Sequence, residues 1–188
     1  MERKIHLALI MGSDREGRFC ETVARWVTRR IEGRNEFSVD VIDPLELSLP
    51  SRISQTDSQQ VQEYRDRIRR ADGYVIITPE YNHGYSATLK TMIDHAYEEW
   101  HAKPVAFVSY GGISGGLRAV EQLRLVFAEV HAATVRDTVS FHFAWDQFDD
   151  DGEPVEGEIA EEAMTTLLDR LLWWANALRR AREAEPYV

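Results

Sequence analysis

One cysteine, Cys20, is the whole thiol complement of this sequence, so no disulfide can close within it and its core must be held by packing alone. A cytoplasmic, reducing location is the expectation that goes with that pattern. No basic-histidine constellation for a nucleophile is recognisable near the thiol in sequence, which makes it structural rather than nucleophilic. Long apolar runs are missing as well, and none approaches the length of a membrane span. The charged start Met1-Glu2-Arg3-Lys4 resembles the opening of a signal peptide. The apolar stretch behind it, however, stops at Met11 and runs into Gly-Ser-Asp-Arg rather than a small-residue cleavage site, which reads as a buried strand. Cations are scarce: 22 Lys and Arg stand against 32 Asp and Glu, for a formal charge of -10. That balance excludes a long-range field drawing in nucleic acid or anionic membrane, and any local gathering of cations needs a local reason. The six histidines show no zinc-type spacing, and no metal site is expected.

At 188 residues the chain suits one sizeable core, so 1–188 is expected to form a single domain. Ile5 to Met11 is a nearly continuous apolar run closed by Gly12, the pattern of a parallel strand covered on both faces. From Glu21 the apolar residues Val23, Ala24, Trp26, Val27 and Ile31 recur at helical spacing, up to a stop at Gly33. The alternation repeats. Strands are predicted at Phe37 to Ile42, Tyr74 to Thr78, Val105 to Ser109 and Thr134 to Val139. Helices are predicted from about Ser58 to Arg70, Ser86 to Glu99, Gly116 to Val130 and Ile159 to Arg182. Strands alternating with helices give an α/β, three-layer αβα fold around a doubly wound five-stranded parallel sheet. The flavodoxin-like order 2-1-3-4-5 is the simplest candidate. One of the adjacent residues Trp173 and Trp174 should enter the core, leaving the other, about 100° round the helix, to reach a partner subunit in a homodimer or homotetramer.

Ser140 to Gly157 does not fit the alternation: it is aromatic at Phe141, Phe143, Trp145 and Phe148, then acidic at Asp149, Asp150, Asp151 and Glu153. Gln147, Asp149, Asp151, Gly152 and Glu158 fall on the spacing of a calcium loop, but the first ligand would be a glutamine and Pro154 removes an amide. A solvated acidic loop is the better reading.

In such a sheet, ligands bind beyond the carboxyl ends of the strands where strand order reverses, so the loops after strands 1, 3 and 4 should converge. The first reads Gly12-Ser13-Asp14-Arg15-Glu16-Gly17-Arg18 and leads into a helix. Glycines admit a close backbone, amides at a helix start point at an anion, and a hydroxyl with two cations completes a cradle for a phosphate monoester. There is no Gly-Lys-Ser/Thr ending for an ATP-type loop, and the glycine spacing is not that of the dinucleotide fingerprint. The loop after strand 3 reads Pro79-Glu80-Tyr81-Asn82-His83-Gly84, and that after strand 4 reads Ser109-Tyr110-Gly111-Gly112. Together they offer the flat surface and the close backbone that a planar redox ring needs. His83 is read as a partly exposed turn residue.

These loops resemble those of the NAD(P)H-dependent FMN reductases of the flavodoxin-like superfamily, which include quinone, azo-dye and chromate reductases. The resemblance runs from about Ile5 to Val139. It rests on Gly12-Ser13-x-Arg15-x-Gly17-Arg18, on Pro79 to Gly84 followed by Leu89-Lys90 and Ile93-Asp94, and on Tyr110-Gly111-Gly112. It implies that Ser13, Arg15, Gly17 and Arg18 hold the FMN phosphate. It likewise implies that Pro79, Glu80, Tyr81 and Asn82 border the isoalloxazine, and that Ser109, Tyr110, Gly111 and Gly112 contact its pyrimidine side. Electrons would pass from NAD(P)H through FMN to a small acceptor such as a free flavin, quinone, azo compound or metal ion, with no protein acid or base required. Two positions depart from the family pattern: Arg18-Phe19-Cys20 stands where some members carry Ser-x-Asn, and Thr91 stands where asparagine usually follows Leu-Lys. A flavodoxin-type electron carrier and a non-catalytic regulatory or assembly protein use the same fold. The arginine-bearing loop favours the reductase, because flavodoxins typically use Ser/Thr-rich phosphate loops.

Overall fold

The computed structural model describes residues 3–54, 56 and 58–187; Met1 and Glu2 of the charged start lie outside the described residues. Five parallel strands form one sheet in the order β2-β1-β3-β4-β5: β1 Ile5–Met11, β2 Phe37–Ile42, β3 Gly73–Pro79, β4 Pro104–Gly111 and β5 Ala133–His142. Five helices alternate with them: α1 Cys20–Glu32, α2 Gln59–Arg70, α3 Ala87–Asp94, α4 Leu117–Glu129 and α5 Gly157–Ala184. The three-layer, doubly wound architecture and the strand order are those the alternation predicted.

The period-2 alternation of each strand divides the core between two faces. Leu7, Leu9, Val75, Ile77 and Val108 pack against α1 and α5, while Ala8, Ile10, Ile76, Val105 and Phe107 pack against α2, α3 and α4. That is why the central strands read as unbroken apolar runs. Among the described residues no helix is long and apolar enough to cross a membrane.

Two elements differ from expectation. The third helix stops at Asp94 instead of reaching Glu99, and a short 3-10 turn at Glu98–Trp100 follows. Its last carbonyls are taken by side chains from outside the helix: Tyr64 donates to Met92 (2.7 Å), Trp100 to Ile93 (3.2 Å) and Arg65 to His95 (2.9 Å). Trp100, buried against Tyr74 and Phe127, closes the end that local pattern would have continued. On α5, neither Trp173 nor Trp174 enters the core; both are exposed and meet each other edge-on. The buried stripe of that helix runs through Ala160, Met164, Leu167, Leu168, Leu171 and Ala175, and positions 173 and 174 fall to one side of it.

The excursion after β5 is anchored at its base. Phe148 packs among Phe19, Trp26 and Phe141, and Arg29 and Arg30 both pair with Glu153 at 2.7 Å. The Asp149 carboxylate turns onto its own loop, accepting the N–H groups of Asp151 and Glu153.

Candidate active site

The order reverses between β1 and β3, and at that point the loops after β1, β3 and β4 are stitched together. Gly12 continues the ladder by donating its N–H to Ile77 O (2.8 Å), and its own carbonyl accepts the Ser86 hydroxyl (2.6 Å), which also caps α3 at Leu89 N. Ser13 Oγ and Tyr81 OH share a hydrogen bond of 2.7 Å, joining the first loop to the second. The second loop is joined to the third by Glu80: its N–H donates to Tyr110 O, and its carboxylate accepts Arg118 N and Nη1 at the start of α4. Burial alone would raise the Glu80 carboxyl, but the Ser114 hydroxyl and Arg118 outweigh it and hold it below its ordinary range.

Asn82 and His83 have φ of +50° and +75°, and Tyr81 and Gly84 exchange both backbone hydrogen bonds across them. This is a two-residue turn of the type that needs positive φ at both central positions, which asparagine tolerates well.

A cleft of about 380 Å³ opens between these loops, within the range of small-molecule sites. Of the predicted site residues, Arg15, Gly17, Arg18, Pro79, Glu80, Tyr81, Tyr110, Gly111 and Gly112 line it, and Phe19, Ala144 and Trp145 complete the wall. Ser13, Asn82 and Ser109 do not line it. Ser13 is buried behind the loop, Asn82 sits in the exposed turn, and the Ser109 hydroxyl donates to Gly115 O (2.8 Å) within its own loop.

The two arginines of the first loop are in different states. Arg18 is buried, with its side chain 3% exposed. It donates to Ser13 O (2.6 Å), to both oxygens of Asp43 at the end of β2, and through Nε to Glu21 (3.2 Å). The bond to Asp43 raises its already high pKa, against the effect of burial. It anchors the loop, a role that the sequence offered no sign of because Asp43 was legible only as a break before Pro44. Arg15 has no carboxylate partner among the described residues; its guanidinium lies over the Tyr81 ring, 3.8 Å from the centroid. Around it the N–H groups of Asp14, Glu16 and Gly17 have no acceptor among the described residues. A free cation with three open amides at the entry to α1 is an anion cradle.

Behind the cleft, the Tyr110 hydroxyl has no hydrogen-bond partner among the described residues, and burial pushes its pKa up. Burial also pushes the neighbouring Cys20 thiol up to about 11, so it stays protonated and structural. A Cβ on Gly112 would meet Trp145 Cη2 at 3.7 Å, so this glycine lies close to the edge of the indole. The open amides, the free Arg15 and the flat, glycine-lined wall fit a ligand with a phosphate at one end and a planar ring at the other.

Three comparisons bear on what that ligand is. The family model described as NADPH-dependent FMN reductase matches residues 5–146. The NAD(P)H-dependent FMN reductase C4B3.06c of Schizosaccharomyces pombe is 40% identical over 119 residues, covering 58% of this chain and 60% of that protein. An NADPH azoreductase of a Bacillus species is 29% identical over 161 residues, covering 83% of this chain and 89% of that protein. Among solved structures, the flavoenzyme NAD(P)H:acceptor oxidoreductase FerB of Paracoccus denitrificans superposes with a TM-score of 0.72 at 23% identity, covering 92% of this chain and 98% of that one, a likeness of fold.

Proposed function

This chain belongs to the NADPH-dependent FMN reductase family, and from that premise we propose that it is an FMN-dependent oxidoreductase passing electrons from NAD(P)H to a small-molecule acceptor. The observation that carries the reading is the anion cradle of Arg15 and the open amides beside a flat cleft. The named relatives support it in kind: one is an FMN reductase and another an azoreductase.

FMN, when bound, supplies the two-electron chemistry, and the protein supplies position and field. Arg15 with the amides of Asp14, Glu16 and Gly17 would hold the phosphate. Arg18 acts on the phosphate only through the loop it anchors. Pro79 and Tyr81 would border the ring, and the Gly111-Gly112 backbone would approach its polar edge. The reading takes 1–188 as one flavin-binding unit in the cytoplasm, in a homodimer or homotetramer for which the exposed Trp173 and Trp174 are the natural contact.

The test is a titration of apoprotein with FMN. Arg15→Ala should weaken binding by about 1.5 to 3 kcal/mol, the worth of a charge-assisted hydrogen bond to phosphate. In the same preparation, NAD(P)H oxidation with a quinone should turn over many times per flavin. Unchanged affinity in the variant would show that the cradle has another use, and flavin binding without turnover would make the protein a carrier.

A further inference from the structure

Trp145 is the bulkiest side chain on the wall of the cleft, yet it is 61% exposed, and Phe143, which meets it edge-on at 6.1 Å, is 47% exposed. Two large rings turned to water beside a ligand cleft run against the tendency of folding to bury apolar surface. The backbone that presents them is strained: Phe143 has φ +46° and ψ +54°, a left-handed conformation that bulky side chains rarely adopt. It is also fastened on both sides. Phe143 N donates to Gly112 O (3.0 Å), His142 Nδ1 bonds Ile113 O (2.9 Å) and the Ser140 hydroxyl donates to Gly115 O (2.8 Å), tying the end of β5 to the loop after β4. On the far side, the packing of Phe148 and the Arg29 and Arg30 bonds to Glu153 fix the returning strand of the excursion. Strain kept in place by surrounding structure at the edge of a site points to use rather than accident.

We propose that the indole of Trp145, braced by Phe143, is the flat wall against which an uncharged aromatic electron acceptor lies. The inference rests on the reading of the cleft as the flavin site, and it names the acceptor class that this chain prefers. Gly112 lies close to the edge of the indole, where even a Cβ would be in van der Waals contact with Cη2 (3.7 Å), so the loop after β4 backs the ring. The free cation of the cleft, Arg15, belongs to the phosphate loop, whereas the residue that follows Trp145 is the exposed Asp146. A negatively charged acceptor lying against the indole has Asp146 beside it; a neutral one gains stacking without that repulsion.

The experiment uses FMN-loaded protein. Binding of a naphthoquinone and of its sulfonated analogue is read by quenching of tryptophan fluorescence, with FMN affinity and the KM values for NAD(P)H and quinone measured in parallel. Trp145→Ala should weaken naphthoquinone binding and raise its KM by about five- to tenfold, a larger change than in FMN affinity or in the KM for NAD(P)H; Trp145→Phe should recover most of the loss. The sulfonated analogue should bind the native protein more weakly than its parent, and salt should narrow the gap. Unchanged quinone binding in the alanine variant of a protein that holds FMN normally overturns this proposal alone. A tenfold loss of FMN affinity in that variant also overturns it, by making Trp145 part of the cofactor pocket. Failure of the native protein to bind FMN overturns both this proposal and the reading it rests on.

Discussion

Asp43→Ala is expected to cost about 3 to 5 kcal/mol of folding stability, more than Arg18→Met at the other end of the same pair. The asymmetry follows from burial. The Arg18 side chain is 3% exposed and Asp43 is 19% exposed. Removing the carboxylate strands a guanidinium in the interior, with the exposed Glu21 as its remaining carboxylate and the Ser13 carbonyl as its remaining fixed acceptor. Removing the arginine leaves a carboxylate that still accepts Leu45 N–H and can draw in water, at a cost nearer about 2 kcal/mol. Urea titration at neutral pH measures both, and equal losses would show that the cation is not the buried charge that matters. The pair also sets a direction with pH. Burial alone would raise the Asp43 carboxyl, but the Arg18 guanidinium and Leu45 N–H outweigh it and hold it below the usual carboxylate range. A depressed folded value means that the contribution is complete above the unfolded value of about 3.9 and is lost as pH falls through the folded one. Native protein should therefore lose stability on acidification more steeply than the alanine variant. Because Arg18 also holds Ser13 O, both substitutions should loosen the phosphate loop and weaken FMN binding.

That pair marks the limit of what the sequence makes legible. Strands such as Ile5–Met11 and Gly73–Pro79 are readable because burial on both faces leaves an apolar run with sharp ends, and their order follows from the right-handed alternation. The site is readable as chemistry: a glycine-flanked loop with two arginines after β1 is visible in any reading. Which arginine is free is not, since Arg18 meets a carboxylate 25 residues away, across β2. The same limit applies at Ser109, whose hydroxyl closes its own loop, and at Glu80, which caps α4 through Arg118. Trp145 was visible only as part of an aromatic stretch. Its place beside Gly112 depends on β5 running on to His142 and on one backbone hydrogen bond from Phe143. The end of α3 was lost for a similar reason, since Tyr64 and Trp100 are terminators that no local pattern announces.

Gly12→Ala should cost about 3 kcal/mol, while Gly17→Ala, five residues along the same loop, should cost only about 1 kcal/mol. Read from the sequence, both glycines allow a backbone to come close to a ligand. The structure separates them. A Cβ on Gly12 would sit 2.6 Å from Ile77 O and 3.3 Å from Leu89 Cδ2. The carbonyl it strikes is the one that accepts Gly12 N–H, so it cannot withdraw without breaking the bond that carries the β1–β3 ladder into the loop. Gly12 O is also the acceptor for Ser86, so the shift would propagate to the cap of α3. Gly17, by contrast, has φ of +64° and open space around its missing side chain, so alanine there meets only the intrinsic penalty of the left-handed conformation. Denaturant unfolding of the two variants, paired with FMN titration, separates packing from cradle. Gly12→Ala should lower stability and FMN affinity together. Gly17→Ala should lower affinity with a smaller change in unfolding midpoint, because a residue that disfavours positive φ re-aims one of the open N–H donors beside Arg15. If Gly17→Ala proved the more destabilising, the loop would be held by its turn conformation rather than by the contact of Gly12 with β3.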